Sequence, residues 1–173
     1  TMGAAGSHNT AIGTNSLNLM SVSGDAFNTA VGSFSGDVIT SGVKNTCIGS
    51  YTDTLNSGSI NQTVIGYEAI GQADNSVTLG DGNVTAVYMA DDKGATVYCS
   101  DVIPSADNTN NLGASGTRWA NLYVADIQLS NEGNPNEVDG TEGSWSIQEG
   151  EDDLYLLNRK SGKKYKFKLE EIE

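Results

Sequence analysis

Basic side chains are what this sequence most clearly lacks. Nine Lys and Arg stand against 22 Asp and Glu, a formal net charge of −13, so a phosphate backbone would meet no positive footprint. Nucleic acid is therefore not an expected partner. Two prolines rule out a proline-stiffened linker, and 21 glycines that do not recur at every third position rule out collagen. Hydrophobic residues make up 37% and aromatic residues 7%, less than one compact core normally draws on. No apolar stretch approaches the ~18 residues of a membrane span, and no basic segment followed by an apolar run opens the chain. Membrane insertion is not expected.

Reactive groups are equally scarce. A single histidine, His8, cannot supply a zinc triad, and Cys47 and Cys99 lie 52 positions apart without metal-ligand spacing. Both cysteines are read as buried thiols. The Gly-x-Ser-x-Gly elbow, the phosphate loop and the dinucleotide fingerprint are all missing. Glu149 with Glu151 and Asp152 with Asp153 are paired carboxylates, but glycan cleavage needs two such groups ~5–9.5 Å apart across a sugar cleft. An acid-rich turn reads instead as a solvated loop. Asp81-Gly82-Asn83 and Asp91-Asp92 offer oxygen ligands without an EF-hand or toxin-type calcium repeat around them. The expectation is a protein that is not an enzyme, with no catalytic residue, no cofactor and no metal site.

What the chain does have is a repeat. Asn9-Thr10-Ala11-Ile12-Gly13 returns as Asn28-Thr29-Ala30-Val31-Gly32, Asn45-Thr46-Cys47-Ile48-Gly49, Gln62-Thr63-Val64-Ile65-Gly66 and, more loosely, Ser76-Val77-Thr78-Leu79-Gly80. The closing glycines fall 19, 17, 17 and 14 positions apart. The polar, glycine-bearing stretches between them destroy any helical period. A short β-branched segment closed by glycine at such intervals predicts the coils of a β-solenoid. Ile12, Val31, Ile48, Ile65 and Leu79 are expected to point inward and stack coil on coil, with Thr10, Thr29, Thr46 and Thr63 on the same face. Asn and Ser would bridge the corners by side-chain to backbone bonds. So thin a coil barely offsets ~1–2 kcal/mol of backbone entropy per ordered residue, so a parallel homotrimer is expected, with the Ile/Val/Leu column in its core.

These repeats resemble the head repeat of trimeric autotransporter adhesins, which also occurs in phage tail fibres. The resemblance covers about residues 6 to 82 and implies a left-handed β-roll within a trimer. The family repeat is usually near 14 residues, so the extra residues around Met20–Gly24, Asp37–Gly42 and Asp53–Ser59 would form surface loops.

Further along, Val84–Met89 and Ala95–Cys99 flank Asp91-Asp92-Lys93-Gly94 and predict a hairpin. Asp107-Asn108, Asn111-Leu112-Gly113, Arg118-Trp119 and Leu122-Tyr123 then follow in order. This resembles a sequence found near the distal ends of phage tail fibres, often ahead of a self-cleaving chaperone domain that the remaining chain is too short to hold. Trp119 and Leu122 are the large anchors there and are expected near the threefold axis. Arg118 would pair with Asp107 or stack on a ring. Ser130–Gly143 reads as a loop or linker, and Ser144–Gln148, Leu154–Leu157 and Lys164–Leu169 as a three-stranded meander. On its last strand Tyr165, Phe167 and Leu169 would be covered, with Lys164, Lys166 and Lys168 facing water. Those lysines would pair with Glu149, Glu151 and Asp152, or contact a glycan.

The fold class expected is all-β: an elongated homotrimeric β-solenoid over 1–82, a β-rich trimeric neck over 83–129, and a loop with a C-terminal knob over 130–173. The resemblance implies a virion component, extracellular: a bacteriophage tail-fibre tip that adheres to a host-cell glycan or protein receptor without catalysis and joins other tail-fibre proteins. Trp119, Tyr123, Lys164, Lys166 and Lys168 are the candidate receptor contacts. The alternative is a head fragment of a bacterial autotransporter adhesin, which would end in a membrane-anchor barrel where this chain has Lys-rich strands and Glu170–Glu173. An ice-binding solenoid would need a flat paired-threonine face that the single threonine column does not provide.

Overall fold

The structure, a computed structural model, describes residues 7–170. The expected beginning of the solenoid at 1–6 and the last residues, 171–173, lie outside them. Among the described residues the chain is all β, with nine strands and no helix. It divides into two compact units, Thr1–Ser100 and Asp101–Glu173.

In the first unit the five repeats become five short parallel strands: β1 (Thr10–Ile12), β2 (Thr29–Val31), β3 (Thr46–Ile48), β4 (Gln62–Ile65) and β5 (Ser76–Leu79), paired in sequence order. Their register follows the repeat. Thr10, Thr29, Thr46, Thr63 and Val77 form one row, and Ile12, Val31, Ile48, Ile65 and Leu79 another. This is a β-solenoid. Glycine is obligatory where each strand turns. Gly32 holds φ at +140°, and a Cβ there would lie 2.2 Å from the carbonyl oxygen of Gly49 in the next coil.

The two faces of the strands are the reverse of the expectation. Ile12, Ile48, Ile65 and Leu79 are 60%, 40%, 39% and 45% exposed, whereas Ala30, Cys47 and Val64, the middle residues of their strands, are fully buried. The reason is girth. A coil this narrow accepts only small side chains from its strand, and the larger ones face outward on the alternate positions. The bulk inside comes from between the strands: Leu17, Met20 and Ile39 pack with Ala26, Ala30 and Cys47 into one cluster. Met20, Ile39, Thr54 and Ser59, all buried, belong to the segments expected to be surface loops. Those insertions instead fold back and supply the core.

A ladder of amide side chains inside the coils is paired from coil to coil. The side-chain oxygen of Asn9 accepts the Asn28 amide at 2.8 Å, Asn28 accepts that of Asn45 at 2.8 Å, and Asn45 that of Gln62 at 3.0 Å. The amide nitrogens of Asn28 and Asn45 donate to the carbonyls of Gly42 (2.8 Å) and Ser59 (2.7 Å). These are the anticipated Asn bridges, made between coils rather than within one corner. Unpaired buried groups would each cost about 1–3 kcal/mol, so the ladder is a condition of the fold.

Residues 82–125 contain no strand and are exposed except for a half-buried Ala90. The expected hairpin over 84–99 is not formed. Its turn exists, with Lys93 N–H donating to Ala90 (3.1 Å) and Gly94 N–H to the Asp92 carboxylate (2.8 Å), but the flanking segments do not pair. A run of β-formers has no intrinsic stability without a packed partner face.

The second unit holds an antiparallel sheet of β6 (Asp126–Ser130), β7 (Ser144–Glu149), β8 (Leu154–Asn158) and β9 (Lys164–Lys166), in that order. β7, β8 and β9 are the expected meander, and β6 is an additional strand. Ser146 is the one buried side chain among the unit's described residues; it donates to the Gln128 side chain and accepts from Arg159 Nε at 2.7 Å. Tyr165, Phe167 and Leu169 are not covered, with 47%, 37% and 66% of their surface exposed, although the Tyr165 ring packs against that of Trp145 with centroids 5.8 Å apart.

Candidate functional site

Two surfaces carry chemistry. The first is the outer face of the parallel sheet, where the Ile/Val/Leu row and the threonine row run side by side without a covering layer. The solenoid corner after the strand glycines adds aromatic rings. Tyr51 stacks on Phe34 with centroids 5.1 Å apart and planes within 4°, and Tyr67 meets Tyr51 edge-on at 6.3 Å. Phe34 and Tyr51 both hold φ of 56°, as does Asn15 at the same place in the first coil. Asn tolerates that left-handed conformation and a bulky ring does not. Stacking offsets the strain by about 0.5–1.5 kcal/mol.

Within the coils lie two titratable groups with displaced protonation. Burial pushes the Cys47 thiol up to about 12, with the Asp53 carboxylate adding to it, so Cys47 is an inert core thiol. Cys99 is exposed, contrary to expectation. Burial likewise raises Asp53 to about 7, and the neighbouring Asp37 carboxyl adds to the shift, against a lowering bond from the Val38 amide. The two carboxyls share hydrogen-bonding contact. Among the described residues no group of three or more His, Cys, Asp or Glu could hold a metal ion.

The second surface is on the antiparallel sheet. Loop 131–143 joins β6 to β7 and, with their ends, lines an open concavity of about 620 Å3. The cross-strand pair Leu129 and Trp145 contributes its apolar wall, and Asp139, Glu142, Asn158 and Lys160 contribute polar ones. The loop is ordered by its own side chains. Asn131 Nδ2 donates to the carbonyls of Asn134 (3.1 Å) and Thr141 (3.2 Å), and Asn136 Nδ2 to Asp139 Oδ1 and the Thr141 carbonyl, both at 2.7 Å. Asp139 Oδ1 also accepts from Thr141 N (3.0 Å) and Oγ1 (2.7 Å). Hydrogen bonds from Thr141 and then Asn136 hold the Asp139 carboxyl below the usual carboxylate range. Lys160 Nζ stands 3.6 Å from Glu142 Oε2.

The residues singled out by sequence are dispersed. Trp119, Leu122 and Tyr123 are all largely exposed. Ala114 and Thr117 exchange backbone hydrogen bonds of 3.0 Å, closing a tight turn between Leu112-Gly113 and Arg118-Trp119. The Trp119 ring then lies over Gly113, where a Cβ would come within 3.3 Å of it. Arg118 pairs neither with Asp107 nor with a ring among the described residues. Lys166 binds the Asp153 carboxylate at 2.7 Å rather than Glu149, Glu151 or Asp152, and this contact raises the lysine's proton affinity. Lys164 lines a shallow depression with Asp126, Gln148 and Tyr155, and Trp119 a separate one with Leu112 and Arg118. Sequence reasoning passed over the Trp145 concavity, reading its rim as a linker. The signal was present in the spacing of Asn131, Asn136, Asp139 and Thr141, side chains that organise turns. No family model matches this chain, and no curated protein and no solved structure match it.

Proposed function

We propose that this chain is the distal, receptor-binding part of a bacteriophage tail fibre, acting as a parallel homotrimer that adheres to the host surface without catalysis. One observation carries the reading: the large apolar side chains left uncovered on each unit. Ile12, Ile48, Ile65 and Leu79 on the sheet, and Trp119, Leu122, Val102 and Ile103 in the unpaired stretch, all face outward, and apolar areas of this kind mark association surfaces.

Threefold assembly supplies what each region lacks. The outward column Ile12, Val31, Ile48, Ile65 and Leu79 becomes shared core, and residues 82–125 acquire partners from neighbouring chains. Three identical tips raise avidity through effective concentration, so each contact can be weak. The resemblance of the repeats and of the Arg118-Trp119 region to tail-fibre sequences adds the biological setting. Sedimentation equilibrium tests the assembly: a particle of three 18.1 kDa chains is expected, and folded single chains would overturn the reading. Binding of labelled chain to a panel of bacterial cells tests the adhesive role. An autotransporter head fragment, the second reading, shares the outward column and would bind host tissue rather than bacteria.

A further inference from the structure

Loop 131–143 is thirteen residues with no strand of its own, and ordered loops of that length are commonly functional. Its hydrogen bonds order it internally, and Lys160 Nζ donates to its Glu142 carbonyl at 3.3 Å. The concavity it makes with β6, β7 and β8 has a volume typical of small-molecule sites. The second oxygen of Asp139, the amide nitrogen of Asn158 and the indole N–H of Trp145 make no hydrogen bond to another described residue and are open to solvent. The Trp145 ring packs against Tyr165, centroids 5.8 Å apart, and Tyr165 is not among the residues that line the concavity. Acceptor, donor and ring face are thus offered together.

We propose that this concavity binds a neutral pyranose sugar, with its C–H face on Trp145 and Leu129 and its hydroxyls shared between Asp139 and Asn158. A hydroxyl donates to the carboxylate oxygen left free by Thr141 and Asn136, and another accepts from the Asn158 amide. An anionic sugar is disfavoured, because two carboxylates, Asp139 and Glu142, face one ammonium, Lys160. A purely apolar ligand would strand those same polar groups. The proposal deepens the host-recognition reading and rests on it for its biological meaning, since a surface glycan presents many such sugars.

Saturation-transfer NMR of the full chain with methyl glucoside, galactoside, mannoside and N-acetylglucosaminide, and with sialic acid as the anionic control, tests it. Transfer to the ring protons of at least one neutral glycoside is expected, with none to sialic acid. Trp145→Ala should abolish the signal, and Asp139→Asn, which keeps an accepting oxygen for Thr141, should weaken affinity at least about tenfold while thermal unfolding stays unchanged. No transfer to any neutral glycoside, or transfer indifferent to both substitutions, overturns the site. Adhesion to bacterial cells without glycoside binding overturns the site alone. Glycoside binding lost in the two variants, without adhesion to any cell, supports the site and overturns the tail-fibre reading.

Discussion

The two units solve the problem of scarce apolar residues in opposite ways. The solenoid closes on itself: Leu17, Met20 and Ile39 fill the first coils beside Ala30 and Cys47, Val64 and Ala69 are buried further along, and the amide ladder of Asn28 and Asn45 runs through the interior. The antiparallel sheet closes on nothing. Among its described residues Ser146 alone is buried, and Tyr165, Leu129 and Ile127 stay partly open. Parallel coils can thus enclose an interior narrow enough for few side chains, whereas a single open sheet cannot make one at all.

The sharpest way to break that contrast is Gly32→Ala, which places a methyl group against the Gly49 carbonyl at a backbone angle of +140°. A loss of at least about 3 kcal/mol is expected. Hydrogen-exchange mass spectrometry should show protection lost over 29–66 and retained over 144–158. Next in size is Leu17→Ala, expected to cost about 2–5 kcal/mol because Leu17 is fully buried. Leu156→Ala on half-buried β8 should cost less than about 1.5 kcal/mol in the dissociated chain, since less area returns to water. Equal costs in urea titrations would erase the distinction between the units.

A smaller effect concerns Asp53. Its carboxyl titrates near 7 in the folded solenoid against 3.8 ordinarily, so the folded state binds the proton more tightly. Above pH 7 both states are ionised and the fold bears the full penalty of a partly buried carboxylate beside Asp37. Stability therefore rises as pH falls from about 7 toward about 4. Asp53→Asn should flatten that slope in pH-dependent melting, leaving the exchange behaviour of the antiparallel sheet untouched. The least effect belongs to Lys166→Ala, which removes an exposed ion pair with Asp153; no measurable change in melting temperature is expected.

The register of the solenoid was legible because every coil repeats its Asn-Thr and its closing glycine. Its phase was not. Alternation in Thr-Ala-Ile-Gly says only that Ala and Ile face opposite ways, and size suggests that Ile goes in; coil girth, invisible in one repeat, sends it out. The insertions differ from expectation for a related reason, since Leu19-Met20 and Val38-Ile39 are short apolar pairs in polar surroundings and only the closed coil turns the second of each inward. Residues 84–99 carried strand propensity and a real turn yet no pairing, because pairing depends on a partner the propensity does not name. Lys166 found Asp153, one residue beyond the predicted acidic partners, through the register of β8 and β9. The Trp145 concavity was hidden for want of a periodic signal: its walls come from three strands and a loop.

The Gln62–Asn45–Asn28–Asn9 ladder and the backbone bonds beside it all run from one coil to the next. A tensile force applied along the stack therefore loads each interface in series, and rupture proceeds one winding at a time. With 14 to 19 residues per winding, each event releases about 45–65 Å of slack. Stretching in a single-molecule pulling experiment is therefore expected to show steps of that spacing rather than one all-or-none extension.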